Sequence, residues 1–259
     1  MPQASVAFTG SGQKYHGYMM STDICPPRFK WPKSFPPLTA EQERISDDFV
    51  RHWHEVLPRR YGMIERFNHG FPVRHGDIKA GCKTIEIGAG LGEHLRYENL
   101  NIQEYHCLEL RQIMAENIQK CSPKVKVTVG DCQKRLPFDD GYFDRIVAVH
   151  VLEHLPDLPA AISEMARLLK PNGVFHIVIP CDPGWLYRLT RLISAERIFK
   201  QRYKQSYNWF IHREHINSPD EILSVLGRYF YIEKREFFPF RIPLINLNLC
   251  LGLVARKKA

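Results

Sequence analysis

The spacing of apolar positions changes character along this chain. Phe49, Trp53, Val56 and Leu57 recur every three to four residues, the period of a helix face. Thr39 followed by AEQE reads as an N-cap with acidic residues in the first turn, and Pro58 is expected to interrupt the helix. From Cys82 the pattern shifts to short β-rich runs: KTIEIG (83–88), EYHCLEL (104–110), KVKVTVGD (124–131), FDRIVAVH (143–150) and GVFHIVIP (173–180). Between them lie helical stretches such as RQIMAENIQK and LPAAISEMARLLK. Strands alternating with helices predict βαβ units and a mostly parallel sheet flanked by helices, an α/β fold. RIVAVHV and VFHIVI are almost continuously apolar, as strands covered on both faces require.

The remainder frames that core. Residues 1–37 are rich in Pro, Gly and Ser, which predicts an irregular arm. Residues 1–80 are therefore read as an N-terminal arm and helical cap, and 81–259 as the main domain. Residues 181–212 form an insertion after the fifth strand, placed where such folds carry specificity loops, and read as a lid. SPDEILSVLG (218–227) looks like a capped helix, followed by two strands, YFYIEKREFF and LNLCLGLVARK.

Composition narrows the class. A chain of 259 residues with 44% hydrophobic and 25% charged residues is long enough for one large α/β domain. The apolar stretch IPLINLNLCLGLVA is broken by Asn246 and Asn248 and is too short to span a bilayer. No basic segment followed by an apolar core opens the sequence, and seven scattered cysteines without a C-x-x-C suggest free thiols, so a cytoplasmic location is expected. The net charge of +8 suits an anionic partner, yet it is spread along the chain. Its densest segment, Arg188 to Lys204, would give a basic amphipathic lid able to meet anionic lipid.

The strongest chemical signal is EIGAGLG (86–92), directly after the first strand. Gly88, Gly90 and Gly92 permit a tight turn that brings bare backbone N–H groups to a ligand at the mouth of a parallel sheet. A dinucleotide site would place its third glycine at 93, where Glu93 stands and would repel a pyrophosphate. Glu86 can face an ammonium group. Glu109 ends the second strand, where a carboxylate accepts from ribose hydroxyls. Asp131 ends the third, where it can accept from an exocyclic amine.

These motifs, with IVAVHVLEHLPD and MARLLKPNGVFHIVIP, resemble the class I S-adenosylmethionine-dependent methyltransferases, in the small-molecule branch of quinone and natural-product enzymes. The resemblance covers about residues 82–256. It implies a Rossmann-like sheet of seven strands with the last antiparallel, and S-adenosylmethionine as cofactor. It further implies that Gly88, Ala89, Gly90 and Gly92 pass the methionine part, Glu109 and Leu110 lie at the ribose, Asp131 and Cys132 flank the adenine, and His150 lines the wall near the sulfonium. The N-P-P-Y-type motif of amino-methylating DNA and protein enzymes is absent after strand four, which disfavours nucleic acid as a partner.

HVLEH (150–154) also matches H-x-x-E-H, a zinc-protease pattern. That reading needs both histidines on one helical face and a third ligand. A strand runs into this stretch and Pro156 follows it, so no metal is expected, and Glu153 is assigned a structural part. A methyl acceptor with a poorly acidic hydroxyl needs a base, and His is the natural one near neutral pH. His154 and His215 are the candidates. Tyr61 from the cap and Trp185 and Arg188 from the lid are the candidate acceptor contacts. The expected reaction is methylation of a hydroxyl, or an amine, on a small molecule or glycan precursor. RNA methylation and a catalytically silent cofactor-binding module are the alternatives.

Overall fold

The computed structural model describes residues 29–258, without the side chains of 53–60. The N-terminal arm to residue 28, Cys25 and the side chains of Trp53, Val56, Leu57 and Pro58 lie outside that description. Helix α1 runs Ala40–Arg60 and α2 Gly62–Arg74. The Thr39 hydroxyl accepts from Gln42 N at 3.2 Å while Gln42 Oε1 accepts from Thr39 N, so both ends of the predicted cap are satisfied. The helix continues through position 58 and breaks at Tyr61 instead, whose φ and ψ of −122° and 37° are not helical.

The runs read as strands are strands: β1 Cys82–Ile87, β2 Gln103–Glu109, β3 Lys126–Val129, β4 Phe143–Val149, β5 Leu169–Pro180, β6 Phe230–Phe238 and β7 Cys250–Lys257. They form one sheet in the order β3-β2-β1-β4-β5-β7-β6. β1 is parallel to both β2 and β4, and only β7 runs against its neighbours. Helices α3 (Gln112–Cys121), α4 (Leu158–Leu168) and α8 (Pro219–Tyr229) flank it, α8 opening with the Ser218–Glu221 capping box. The insertion folds into α5 (Trp185–Ile193), α6 (Ala195–Tyr203) and α7 (Asn208–Glu214).

The main core lies between the sheet and α4 and α8, including Ile146, Phe175, Met165 and Leu226. On the other face α2 packs Phe67 and Phe71 against Val178 and Val254. A Cβ at Gly252 would come within 2.6 Å of the Phe71 ring, so a residue without a side chain lets α2 approach β7. A separate cluster joins α1 to the insertion: Ile45 and Phe49 meet Phe199, Tyr207 and Phe210. The cap and the lid thus share one small core. Beneath the glycine loop, buried Arg145 pairs with Glu98 at 2.8 Å and donates to Pro72 O at 3.0 Å. Glu98 also holds His94 at 2.8 Å. This fixes the end of α2 and the 3-10 turn Glu93–Tyr97 to the sheet.

Removing the Phe71 ring leaves a cavity between α2 and β7. Phe71→Ala should lower unfolding free energy by about 3–5 kcal/mol, read as a shift of the urea midpoint at unchanged slope.

Candidate cofactor and acceptor site

The strand order reverses between β1 and β4, the switch point where open α/β sheets bind ligands at strand C-terminal ends. Ile87 pairs with Ala148 there, so EIGAGLG and HVLEH leave the sheet side by side. Gly88, Gly90 and Gly92 all have left-handed φ, 65°, 56° and 83°. At Gly88 a Cβ would also lie 2.7 Å from Val151 Cγ2, so glycine is needed for space as well as for conformation. The loop opens directly into the 3-10 turn. The Glu109 carboxylate accepts from Gly90 N at 2.9 Å with one oxygen and from Arg111 N at 3.0 Å with the other. Each oxygen retains lone pairs for a ligand hydroxyl.

Glu86, Gly88, Ala89, Gly90, Glu109, Leu110, Asp131, Cys132 and His150 all line one cavity of ≈980 Å³. Gly92 lies just behind the loop and is not on the wall. Asp131 Oδ1 accepts from Gln133 N at 2.9 Å. Burial pushes the Cys132 thiol up to about 12, so it is a neutral wall group. Burial likewise pushes Glu86 up to about 8, against the hydrogen bond donated by Tyr105 at 3.1 Å. From α2 come Glu65 and Asn68, buried on the same wall; Glu65 Oε2 lies 3.3 Å from His69 Nε2, and Asn68 Oδ1 has no hydrogen-bond partner among the described residues. Sequence reading missed this pair, because neither residue belongs to a motif. Left-handed glycines, a half-satisfied Glu109 carboxylate and the buried Asn68 acceptor together fit a ligand that brings hydroxyls and an ammonium group.

The acceptor end is built around HVLEH. His150 takes a left-handed φ of 54°, an uncommon backbone state for a residue with a side chain. Its Nδ1 lies 3.1 Å from Glu153 Oε1. Glu153 is not remote packing: its buried carboxylate is on the cavity wall, 3.7 Å from His154 Nε2. Burial opposes its ionisation, but the His150 hydrogen bond and the neighbouring imidazoles hold it well below the usual carboxylate range. Burial pushes His154 down, which keeps the imidazole neutral near pH 7. Its Nδ1 is buried without a hydrogen-bond partner among the described residues, 3.5 Å from Glu214 Oε2.

His215 packs against His154, ring centroids 5.4 Å apart. Its Nδ1 lies 2.9 Å from Asp182 Oδ2, and Arg191 holds the same carboxylate at 3.3 Å. Both candidate bases therefore converge on one wall, 61 residues apart in sequence. Asp182 escaped sequence reading, since nothing local marks a partner 33 residues from His215. Tyr61 lines the cavity from the α1–α2 break. Trp185 and Arg188 do not: both face outward, Trp185 being 64% exposed. The helix period explains the correction. Tyr187, Thr190, Arg191 and Ser194 share the inner face of α5, and 185, 188, 189 and 192 share the outer one. Although sequence reading assigned no metal, Glu153, His154 and His215 present atoms within 4.8 Å of one another, the one set among the described residues that could hold a divalent cation.

Comparison with known proteins agrees with this layout. Residues 85–177 match the family described as "Methyltransferase domain". Sterol 24-C-methyltransferase ERG6B of Gibberella zeae is 36% identical over 123 residues, 44% of this chain and 31% of that protein. Sterol 4-C-methyltransferase strm-1 of Caenorhabditis elegans is 32% identical over 174 residues, 62% of this chain and 48% of that one. This chain thus spans less than half the length of these two relatives. The fold is shared with a TehB-like SAM-dependent methyltransferase from Corynebacterium glutamicum (TM-score 0.57, 17% identity, 83% of this chain and 100% of that one). It is shared also with the [4+2]-cyclase SpnF (TM-score 0.56, 17% identity, 75% and 81%).

Glu86 gives the cofactor end a proton signature. A ligand ammonium facing it favours the ionised form, so binding expels the proton that free Glu86 carries at pH 7. Calorimetry with S-adenosylmethionine in buffers of differing ionisation enthalpy should report release of about one proton, and affinity should rise with pH towards about 8. Glu86→Gln should remove the release; a wild-type protein that releases none contradicts the assignment.

Proposed function

We propose, from the premise that the chain carries a class I S-adenosylmethionine-dependent methyltransferase domain, that it transfers a methyl group to a hydroxyl on an apolar small molecule. The observation that carries this reading is the Asp182–His215 pair, set beside neutral His154 in the same cavity as the glycine loop. The bound cofactor supplies a methyl made electrophilic by its sulfonium. Glu109 would hold the ribose, the glycine loop would pass the methionine part, and Glu86 with Asn68 would receive its ammonium. His150, fixed by Glu153, closes the wall between cofactor and acceptor.

Asp182 accepts from His215 Nδ1–H, which sets the tautomer and leaves Nε2 as the basic atom. Nε2 can then take the acceptor's hydroxyl proton, with Asp182 stabilising the imidazolium. His154, neutral and short of partners, orients the acceptor oxygen or relays that proton. Phe49, Val50, Met63, Ile64, Phe210 and Leu249 supply an apolar wall from the cap, lid and β7 side. Such a wall suits a hydrocarbon body, and both relatives named above are sterol methyltransferases. RNA is not favoured: a phosphate backbone would need a cationic groove, whereas the acceptor side carries this apolar wall and its Arg191 is already paired with Asp182.

His215→Asn and Asp182→Asn should each lower kcat by about 10²–10⁴-fold while cofactor affinity stays within about twofold. Transfer of labelled methyl to a panel of hydroxylated isoprenoids and phenols reads the rate, and calorimetry reads the affinity. Full turnover in both variants would overturn the role of the pair.

A further inference from the structure

Helix α5 is amphipathic in the wrong sense for a lid. Its polar side, with Thr190 and Arg191, faces the cavity. Its outer side carries Trp185, Leu189 and Leu192 at positions i, i+4 and i+7, exposed by 64%, 42% and 51%, and Ile193 stands at the cavity edge. An ordinary surface helix shows the reverse arrangement. The apolar surface continues beyond the helix. α5 packs against the 3-10 turn Ile245–Leu247. At Gly184, which leads into α5, a Cβ would meet Ile245 O at 2.7 Å, so the two backbones are in close contact. That loop exposes Phe240, Ile242, Leu244 and Leu247. Seven large apolar side chains therefore stand on adjoining elements at the rim of the cavity, more than scattered exposure explains.

Two further observations define what covers this surface. The charges are of one sign: Arg188 lies within the helix stripe and Arg241 within the loop, and neither α5 nor residues 239–249 contain a carboxylate. The loop's backbone is also prepared for a dry environment. Buried Asn248 donates through Nδ2 to Ile242 O and Leu244 O, both at 2.8 Å, and accepts from Phe240 N at 3.1 Å. Leu247 N is bonded to Leu244 O. Apolar medium demands such internal pairing.

We propose that α5 and the 239–247 loop form a docking surface for an anionic lipid bilayer, through which the enzyme takes an amphiphilic acceptor directly from the membrane. Trp185, the leucines and Phe240 enter the headgroup boundary, and Arg188 and Arg241 meet anionic headgroups. The same two segments line the cavity through Tyr187, Thr190 and Pro239, so an acceptor crossing this rim arrives beside His215. The surface deepens the functional reading above by naming the source and class of the acceptor.

The test is flotation with vesicles of phosphatidylcholine alone and with about one third phosphatidylglycerol. The wild-type chain should float with the anionic vesicles, less so at high salt, with a blue shift of tryptophan emission that Trp185→Ser removes. Leu189→Glu/Leu192→Glu should weaken binding by tenfold or more. Arg188→Glu should weaken it about fivefold, on anionic vesicles only. Calorimetry with S-adenosylmethionine shows that each variant is folded, its affinity being unchanged. A wild-type chain that binds cofactor but no vesicle overturns the docking surface and leaves the methyl-transfer reading standing; vesicle binding without cofactor binding does the opposite. A wild-type dimer that dissociates in Leu189→Glu/Leu192→Glu, with no vesicle binding, assigns the face to a second copy and also overturns the proposal.

Discussion

The parallel pairing of β1 with β4 is the constraint on which the site depends. Each strand alone ends in an unremarkable loop. Paired, they bring Gly88 against Val151 so closely that no side chain fits at 88. This contact joins the glycine loop to the segment that carries His150, Glu153 and His154. β2 then adds Glu109 beside Gly90, and the Arg145–Glu98 pair locks the same region from below. The cofactor end is therefore set mostly by backbone and by buried charge, which are difficult to displace.

The acceptor end is assembled differently. Its wall comes from the cap, the insertion and the loop before β7, elements far apart in sequence. The small core of Phe49, Phe199, Tyr207 and Phe210 holds the cap to the lid, and Asp182 reaches across to His215. The proposed chemistry combines a low-pKa Glu153 carboxylate, a neutral His154 and an oriented His215 within one wall. Those states arise from burial and mutual contact rather than from any single residue.

This division explains what could be read from sequence. Strands buried on both faces show continuous apolar runs, so β1, β2 and β4 could be placed from sequence to within a residue, whereas β3, an edge strand, is shorter than its run and β5 begins four residues before its own. Glu109 and the glycines belong to a local motif whose spacing is fixed by one βαβ unit. Asp182, Glu65 and Asn68 act through long-range packing, and nothing near them in sequence marks their part. Trp185 and Arg188 were assigned to the acceptor because aromatic and cationic residues in a lid suggest binding. The rotation of α5 about its axis depends on what it packs against, and packing places Tyr187 and Arg191 inward instead. HVLEH does not form the zinc-helix pattern: it leaves β4 through a left-handed turn at His150, both of its histidines lie against the Glu153 carboxylate, and His215 packs beside His154.

The central claim is that the β1–β4 junction binds S-adenosylmethionine through a bare-backbone loop and one strand-end carboxylate. Calorimetric titration of the cofactor against wild type, Gly88→Val and Glu109→Ala tests it most directly. The account predicts no measurable binding to Gly88→Val, because the added side chain meets Val151, and at least tenfold weaker binding to Glu109→Ala. Wild-type affinity in both variants would contradict it.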